Sequence, residues 1–181
     1  MATLWEGRLS GATTDALKAL NDSLQIDKRL YREDISGSRA HVKMLVSVGL
    51  IEESDGELIL DALKTTEEEM TSGSFVFQPE DEDIHTAVER RVTEIAGEAG
   101  ARMHTGRSRN DQVVTDLRLW TLKNLDELAA LVVSLQKSLI EQAEKAEATR
   151  LPGYTHLQQA QPVLLSHHLL AHAWALSRDF D

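Results

Sequence analysis

A stretch of about forty residues without glycine or proline, residues 110–149, constrains the fold more than any other feature. Its apolar side chains recur at intervals typical of an α-helix, at Val113, Leu117, Trp120, Leu128, Leu131, Leu135 and Leu139. A helix of this length is about 60 Å long, which is more than a small compact domain needs. Long helices bury such stripes in bundles or oligomers, so the stretch predicts the start of a helical bundle.

The composition supports a helical fold and excludes several classes of protein. Only 4% of the 181 residues are aromatic, and leucine and alanine supply most of the apolar side chains, which favours helices over strands. Because the chain has no cysteine, it has neither a disulfide scaffold nor a thiolate metal site. A net charge of −11 argues against nucleic-acid binding through a general positive field.

Neither a membrane anchor nor a secretion signal is predicted. The longest apolar run, residues 128–133, is far too short to span a bilayer. The first residues contain no apolar run of the signal-peptide type. We therefore expect a cytoplasmic protein that has no membrane partner.

Helix-stopping residues divide the chain into two predicted domains. Helical spacing and capping residues predict helices at about residues 13–30, 38–48, 56–72 and 84–96. Residues 97–108, with three glycines and little apolar periodicity, are predicted to form a loop. A second long helix is expected to start near Pro162. We predict an N-terminal helical domain over residues 1–108 and the first helices of an incomplete bundle over residues 109–181.

The segment ARMHTGRSRNDQ, residues 101–112, concentrates positive charge in an otherwise acidic chain. Arg107 and Arg109 lie within it, its glycine and serine suit a tight turn, and Asn110 or Asp111 can cap the helix that follows. Loop N–H groups, guanidinium groups and a helix N-terminus together form an anion site. The alternative is a polar turn with an ordinary helix cap.

The segment PGYTHLQQAQP, residues 152–162, is predicted to be a short polar loop between two long helices. It displays Thr155, His156 and Gln158. A histidine at a helix junction titrates near neutral pH and can move protons. The alternative is a solvent-exposed linker histidine.

Two further groups of polar residues are weaker candidates. Asp83 and His85 lie at a predicted helix start, where Asp83 alternatively serves only as an N-cap. Ser23 and Asp27 lie four residues apart, on one face of a helix. We predict no metal site, because the spaced pair His168 and His172 has no acidic third ligand nearby in the sequence.

Together, these segments resemble a known family. HTGRSRNDQ, followed some 40 residues later by PGYTHLQQAQP, is similar to the first two signature segments of the argininosuccinate lyases, within the fumarase/aspartase superfamily. LWEGRLSG, NDSLQIDKRLYREDISGSRAH and DEDIHTAVERR resemble the same family in the same order. The resemblance implies the N-terminal portion of an all-α protein, with a small helical domain followed by a long-helix bundle.

The resemblance also implies an activity and a role for each candidate residue. The family cleaves argininosuccinate to arginine and fumarate, without a cofactor. His156 matches the catalytic histidine, and Thr155, Asn110 and Ser23 match substrate-binding positions. The other expected substrate contacts are Asp27, Asp83, His85, Arg107, Arg109 and Gln158, although one arginine alternatively holds its loop together.

The family's third signature segment, a serine-containing G-S-S-x-M-P-x-K-x-N-P loop, is absent from these residues. In the family, a homotetramer assembles each active site from segments of different subunits. We therefore expect the 181-residue chain to be inactive alone. The alternative function is that of a non-catalytic packing protein of the delta-crystallin type.

Overall fold

The computed structural model describes residues 14–180. LWEGRLSG and Thr13 lie outside the described residues. The chain divides into two compact units, whose described parts are residues 14–120 and 121–180. The domain boundary expected after residue 108 stays a prediction.

Seven α-helices and one β-hairpin make up the regular structure of the described residues. The helices are α1 (Asp15–Asn21), α2 (Leu24–Asp27), α3 (Tyr31–Ser47), α4 (Glu53–Ser72), α5 (Ile84–Ala96), α6 (Arg109–Ala146) and α7 (Leu165–Phe180). Short 3-10 turns occupy Lys28–Leu30 and Gly100–Arg102. The predicted helix at 84–96 is confirmed. The long helix is also confirmed, and with 38 residues it is about 57 Å long.

Three predicted helix boundaries are wrong. The helix expected at 13–30 breaks after Asn21, and its Thr14 cap accepts a bond from Leu17 N at 3.3 Å. The helix expected from residue 38 begins earlier, at Tyr31. Asp55 lies inside the first turn of α4, where Arg102 donates a hydrogen bond to it. The Thr14 cap thus forms as its residue type favours, whereas the side chain of Asp55 bonds a tertiary partner and does not cap α4.

The core of the first unit lies between α3, α4 and α5. Its fully buried side chains include Ile35, Val42 and Leu45 on α3, Ile59 and Leu63 on α4, and Ile84, Val88 and Val92 on α5. The segment before α5 is fastened by Arg90, whose guanidinium donates two bonds, of 2.8 and 2.9 Å, to the buried Asp81. These contacts fix the position at which α5 begins.

A β-hairpin replaces the loop expected at 152–162. Strand β1 (Arg150–Thr155) pairs antiparallel with β2 (Gln158–Leu164), with a register shift between Pro152 and Tyr154. The helix expected near Pro162 therefore begins only at Leu165. At the shift, a Cβ on Gly153 would lie 3.0 Å from Gln161 O, so glycine allows the strands this close approach.

In the second unit, α7 runs back along the end of α6. Gln136 Nε2 donates to Ala173 O at 3.1 Å, and Ser166 Oγ donates to Glu147 O at 3.2 Å. Apolar side chains of this unit remain at least half exposed at Leu122, Leu125, Leu128, Leu131, Leu135 and Trp174. Within residues 14–180, we find no helix that combines the length and apolarity needed to cross a membrane.

Candidate active site

The first turn of α5 gathers three of the predicted site residues. Asp83 caps the helix, with its Oδ1 accepting a bond from Thr86 N at 2.6 Å. Asp27 Oδ1 accepts from Ile84 N at 3.0 Å, and its other oxygen accepts from Ser23 Oγ at 2.6 Å. All three polar side chains are only partly buried. The structure therefore brings Ser23, Asp27 and Asp83 together at a helix N-terminus, a place that favours negative charge.

Arg109 lies beside this group. Its Nη1 donates to Gln112 Oε1 at 2.7 Å. Its Nε is 3.5 Å from Asp83 Oδ2, and its Nη2 is 3.4 Å from Glu89 Oε2. Because the Arg109 side chain is still 21% exposed and its contacts to the two carboxylates are long, an anion from solvent can meet its N–H groups.

The start of α6 is held by a reciprocal cap that does not use the side chain of Asn110. Ser108 Oγ accepts from Asn110 N at 3.2 Å, and Asp111 Oδ1 accepts from Ser108 N at 3.1 Å. The N-cap, expected at Asn110 or Asp111, is therefore Ser108, and Asp111 supports it by accepting the bond from Ser108 N. This leaves the exposed Asn110 side chain at the first turn of the helix.

Arg107 points inward from the same loop. Its Nη1 donates to the buried Ser38 Oγ at 3.0 Å. Nearby, burial lowers the pKa of His104, and its Nε2 is buried without a hydrogen-bond partner. Of the two arginines, Arg109 is thus the one bonded beside the helix N-terminus, whereas Arg107 connects the loop to α3.

His85 lies beneath the surface, in a polar cluster with two buried aspartates. Its Nδ1 is 3.0 Å from Asp34 Oδ1 and 3.4 Å from Asp116 Oδ2. Asp34 also accepts a bond from Gln112 Nε2 at 2.5 Å. All four side chains are at most 2% exposed. His85 therefore connects the site to the interior of the unit, and its own ring is covered.

The ionisation of the cluster follows from this geometry. Burial opposes charge on His85, but its hydrogen bond to Asp34 and the charge of Asp34 outweigh that and raise its pKa. Burial likewise opposes charge on Asp34, yet the bond to His85 and its charge keep the pKa of Asp34 below its usual value. Burial, followed by the charge of Asp34, raises the pKa of Asp116 to about 7. The cluster thus holds a proton that an exposed pair of aspartates would lose.

Sequence reasoning missed Asp34, Gln112 and Asp116. The first turns of α6 were expected to bury Val113 and Leu117, but these are 37% and 51% exposed. The buried face instead carries Gln112, Asp116 and the partly buried Trp120 at i, i+4 and i+8. The helical spacing of these three residues could have indicated the buried face. Two of the three are polar, however, so an apolar pattern does not reveal it.

The same cluster is where a cation could be held among residues 14–180. Asp34, His85 and Asp116 each offer one ligand atom, and these atoms lie within 4.8 Å of one another. Three carboxylate oxygens of the cluster are buried without a hydrogen-bond partner. A proton on Asp116 would satisfy two of these three oxygens, because the protonated carboxyl can donate to Asp34.

The second predicted segment forms the turn of the hairpin. His156 and Leu157 have φ angles of +50° and +59°, so together they form a two-residue type I′ turn. This conformation favours asparagine or glycine and is strained for other side chains. Thr155, His156 and Gln158 are all exposed around it. The backbone thus holds the histidine outward, available to solvent and to ligands.

Comparison with known proteins identifies the family. A model of the lyase family matches residues 7–181. This chain belongs to the lyase family. It is 48% identical over 97% of its length to the argininosuccinate lyase of Hyphomonas neptunium, and 47% identical over 99% to that of Symbiobacterium thermophilum. The resemblance predicted from the signature segments is confirmed. The chain spans 38% and 39% of the length of these two relatives.

Solved structures confirm the helical fold of this chain. A variant of EDDS lyase with bound fumarate matches 85% of this chain and 30% of its own, with a TM-score of 0.70 and 26% identity. A fumarate lyase from Mesorhizobium sp. BNC1 matches 95% of this chain and 40% of its own, with a TM-score of 0.66. At 23% identity, the latter supports the fold alone.

The raised pKa of Asp116 predicts that stability falls with rising pH. Because the folded state holds its proton up to about pH 7, folding loses free energy as pH rises from about 4 through 7. Asp116→Asn keeps a donor toward Asp34 but cannot ionise. We expect it to raise the free energy of unfolding at pH 8 by about 1–3 kcal/mol, and to flatten its dependence on pH.

The measurement is urea unfolding, followed by tryptophan fluorescence at several pH values. The control is Asp61→Asn, which removes an exposed carboxylate of α4 in the same unit. Equal pH profiles for wild type and Asp116→Asn would show that Asp116 ionises normally in the folded state.

Proposed function

We propose that the protein is an argininosuccinate lyase, which converts L-argininosuccinate to L-arginine and fumarate in arginine biosynthesis. The observation that carries the proposal is the grouping of Ser23, Asp27, Asp83 and Arg109 at the N-terminus of α5. These are residue types and positions that the family resemblance assigns to substrate binding. The named relatives, which are argininosuccinate lyases, support the same activity.

The reaction requires groups that the candidate site offers. A base removes a proton from the carbon beside a substrate carboxylate, and the electron pair spreads onto that carboxylate. The pair then forms the double bond of fumarate, while the bond from the next carbon to the guanidino nitrogen breaks. Fixed hydrogen-bond donors that meet the developing charge on the carboxylate lower the barrier selectively. The departing guanidino nitrogen retains the electron pair of the broken bond and takes up a proton.

The donors for substrate anions come from two segments. Arg109 has a partly exposed side chain and lies beside a helix N-terminus. Asn110 lies exposed in the first turn of α6. In the hairpin, Thr155 and Gln158 add a hydroxyl and a carboxamide on either side of the turn. Such donors suit the carboxylates of argininosuccinate, in a protein whose overall negative charge would otherwise repel them.

His156 is proposed as part of the acid/base apparatus. It is exposed in a strained turn, and strained turns at exposed polar residues are common in catalytic sites. Ser23 and Asp83 then bind substrate. Asp27 holds them in place by accepting hydrogen bonds from Ser23 Oγ and from the backbone N of Ile84. His85 is buried and contributes through Asp34 rather than by contact with substrate.

We further propose that the complete protein is a homotetramer in which neighbouring chains share active sites. Support comes from the stripe Leu122, Leu125, Leu128, Leu131 and Leu135, which stays at least half exposed in its unit. Contiguous apolar stripes of this kind mark interfaces. The 38 residues of α6 lie between the two signature segments in the sequence, and the family resemblance implies that such segments from different subunits form one site.

The activity test compares the product of the complete reading frame with the 181-residue chain. We expect the former to release fumarate from argininosuccinate, measured by its ultraviolet absorbance, and the latter to release none. The reason is that these residues lack the serine-containing third signature segment. An inactive but well-folded complete protein would favour the packing function of the delta-crystallin type.

His156→Asn in the complete protein should lower kcat by about 10²–10⁴-fold, because acid/base catalysis contributes that much. Thermal stability should change little, since the side chain is exposed in its own unit. His167→Asn, at an exposed position on α7, is the control. A normal kcat with a large loss of stability would contradict the catalytic role.

Replacing Leu128 and Leu131 together by glutamate should dissociate the tetramer, because burying two charges in an apolar interface is strongly unfavourable. Sedimentation velocity on the complete protein measures the change. Lys137→Glu, on the opposite side of α6, is the charge control and should remain tetrameric. An unchanged sedimentation coefficient for the double variant would exclude this stripe from the interface.

A further inference from the structure

The carboxamide of Gln112 joins two polar groups that would otherwise be separate. Its Nε2 donates to Asp34 Oδ1 at 2.5 Å, and its Oε1 accepts from Arg109 Nη1 at 2.7 Å. Only the amide NH₂ group donates and only its oxygen accepts, so these two bonds fix which end faces which partner. Because Gln112 is 2% exposed, water does not substitute for either bond.

The Asp34 side of this link is rigid. The same Oδ1 atom also receives His85 Nδ1 at 3.0 Å, and the carboxylate is fully buried. A charged acceptor in the interior keeps its donors firmly, because losing one leaves a buried charge poorly satisfied. The amide is therefore anchored on α3 at one end and directs its oxygen at Arg109.

The Arg109 side has competing partners. Asp83 and Glu89 lie 3.5 and 3.4 Å from its nitrogens, both longer than the 2.7 Å bond to Gln112. Either carboxylate could form a closer, charge-assisted pair with the guanidinium if it were free to turn. The bond to the amide thus holds the guanidinium at the longer distances of 3.4 and 3.5 Å from these two carboxylates, instead of letting it turn fully toward either one.

We propose that Gln112 is a positioning residue, which sets the direction of the Arg109 guanidinium and so the place where a substrate carboxylate is bound. This inference rests on the proposed function, since it takes Arg109 as a substrate contact. Gln112 itself is covered and does not touch the substrate. Its partner Asp34 acts one step further back, by holding the amide.

Two substitutions separate positioning from stability. Gln112→Leu removes both hydrogen bonds, so Arg109 is free to turn toward Glu89 or Asp83. Gln112→Glu keeps an acceptor for Arg109 but places a second carboxyl against Asp34. The charged groups facing this position are Asp34 on α3, His85 and Glu89 on α5, His104 in the loop, and Arg109 and Asp116 on α6.

In the product of the complete reading frame, we expect Gln112→Leu to raise KM for argininosuccinate about 10–100-fold, as the loss of a charge-assisted contact implies. The effect on kcat should be smaller, since the carboxylate is bound in ground and transition states alike. Gln112→Glu should lower Tm yet keep KM within a few-fold of wild type. Thr66→Val, which removes a buried hydroxyl bonded to Ala62 O, controls for generic loss of a buried hydrogen bond.

A wild-type KM in Gln112→Leu, or equal rises of KM in both variants, would overturn the proposal. A KM that simply follows Tm across all three variants would also overturn it. Crystal structures of the two variants provide a readout that does not need activity. Arg109 should pair closely with Glu89 or Asp83 in Gln112→Leu only, and an unmoved guanidinium would refute the inference even if the wild type proved inactive on argininosuccinate.

Discussion

The buried carboxylate of Asp34 is the interaction on which the first unit depends. It receives the imidazole of His85 from α5 and the amide of Gln112 from α6, so three helices meet at one oxygen atom. An unpaired buried charge costs several kcal/mol. A shift of either helix start would break a bond to Asp34 and would therefore be strongly destabilising. A polar contact, and not only the apolar core, therefore sets the register of the elements that carry the site.

This arrangement positions the partly exposed polar groups of the candidate site. The N-terminus of α5 is held in place by the bond of His85 to Asp34. It carries Asp83, and its backbone donates a hydrogen bond to Asp27. The α6 N-terminus, fixed through Gln112, presents Arg109. The ligand-facing groups come from loops and first turns, while the interior supplies their alignment. The same buried cluster contains Asp116, whose pKa is raised to about 7 by burial and by the charge of Asp34.

Much of the helical fold could be predicted, because α5 and α6 have clear apolar spacing and few breakers. The hairpin could not be predicted, because its turn residues are His156 and Leu157. Asparagine and glycine are the residues that indicate a type I′ turn in a sequence. Ser23, Asp27 and Asp83 could be named from the sequence, and the structure brings them together. The buried Asp116 could not, because neighbouring Val113 and Leu117 suggested a different buried face.

Two features of the second unit are unfavourable for a chain taken singly. Leu157 is 97% exposed in a left-handed conformation, and such a residue costs of order 1–3 kcal/mol in backbone strain. The α6 leucines expose apolar surface that water disfavours. The homotetramer proposed above would cover the stripe and the turn with neighbouring chains, and contacts made there would offset both costs. In that assembly, the contacts that stabilise the strained turn would also bring His156 to a substrate bound by another chain.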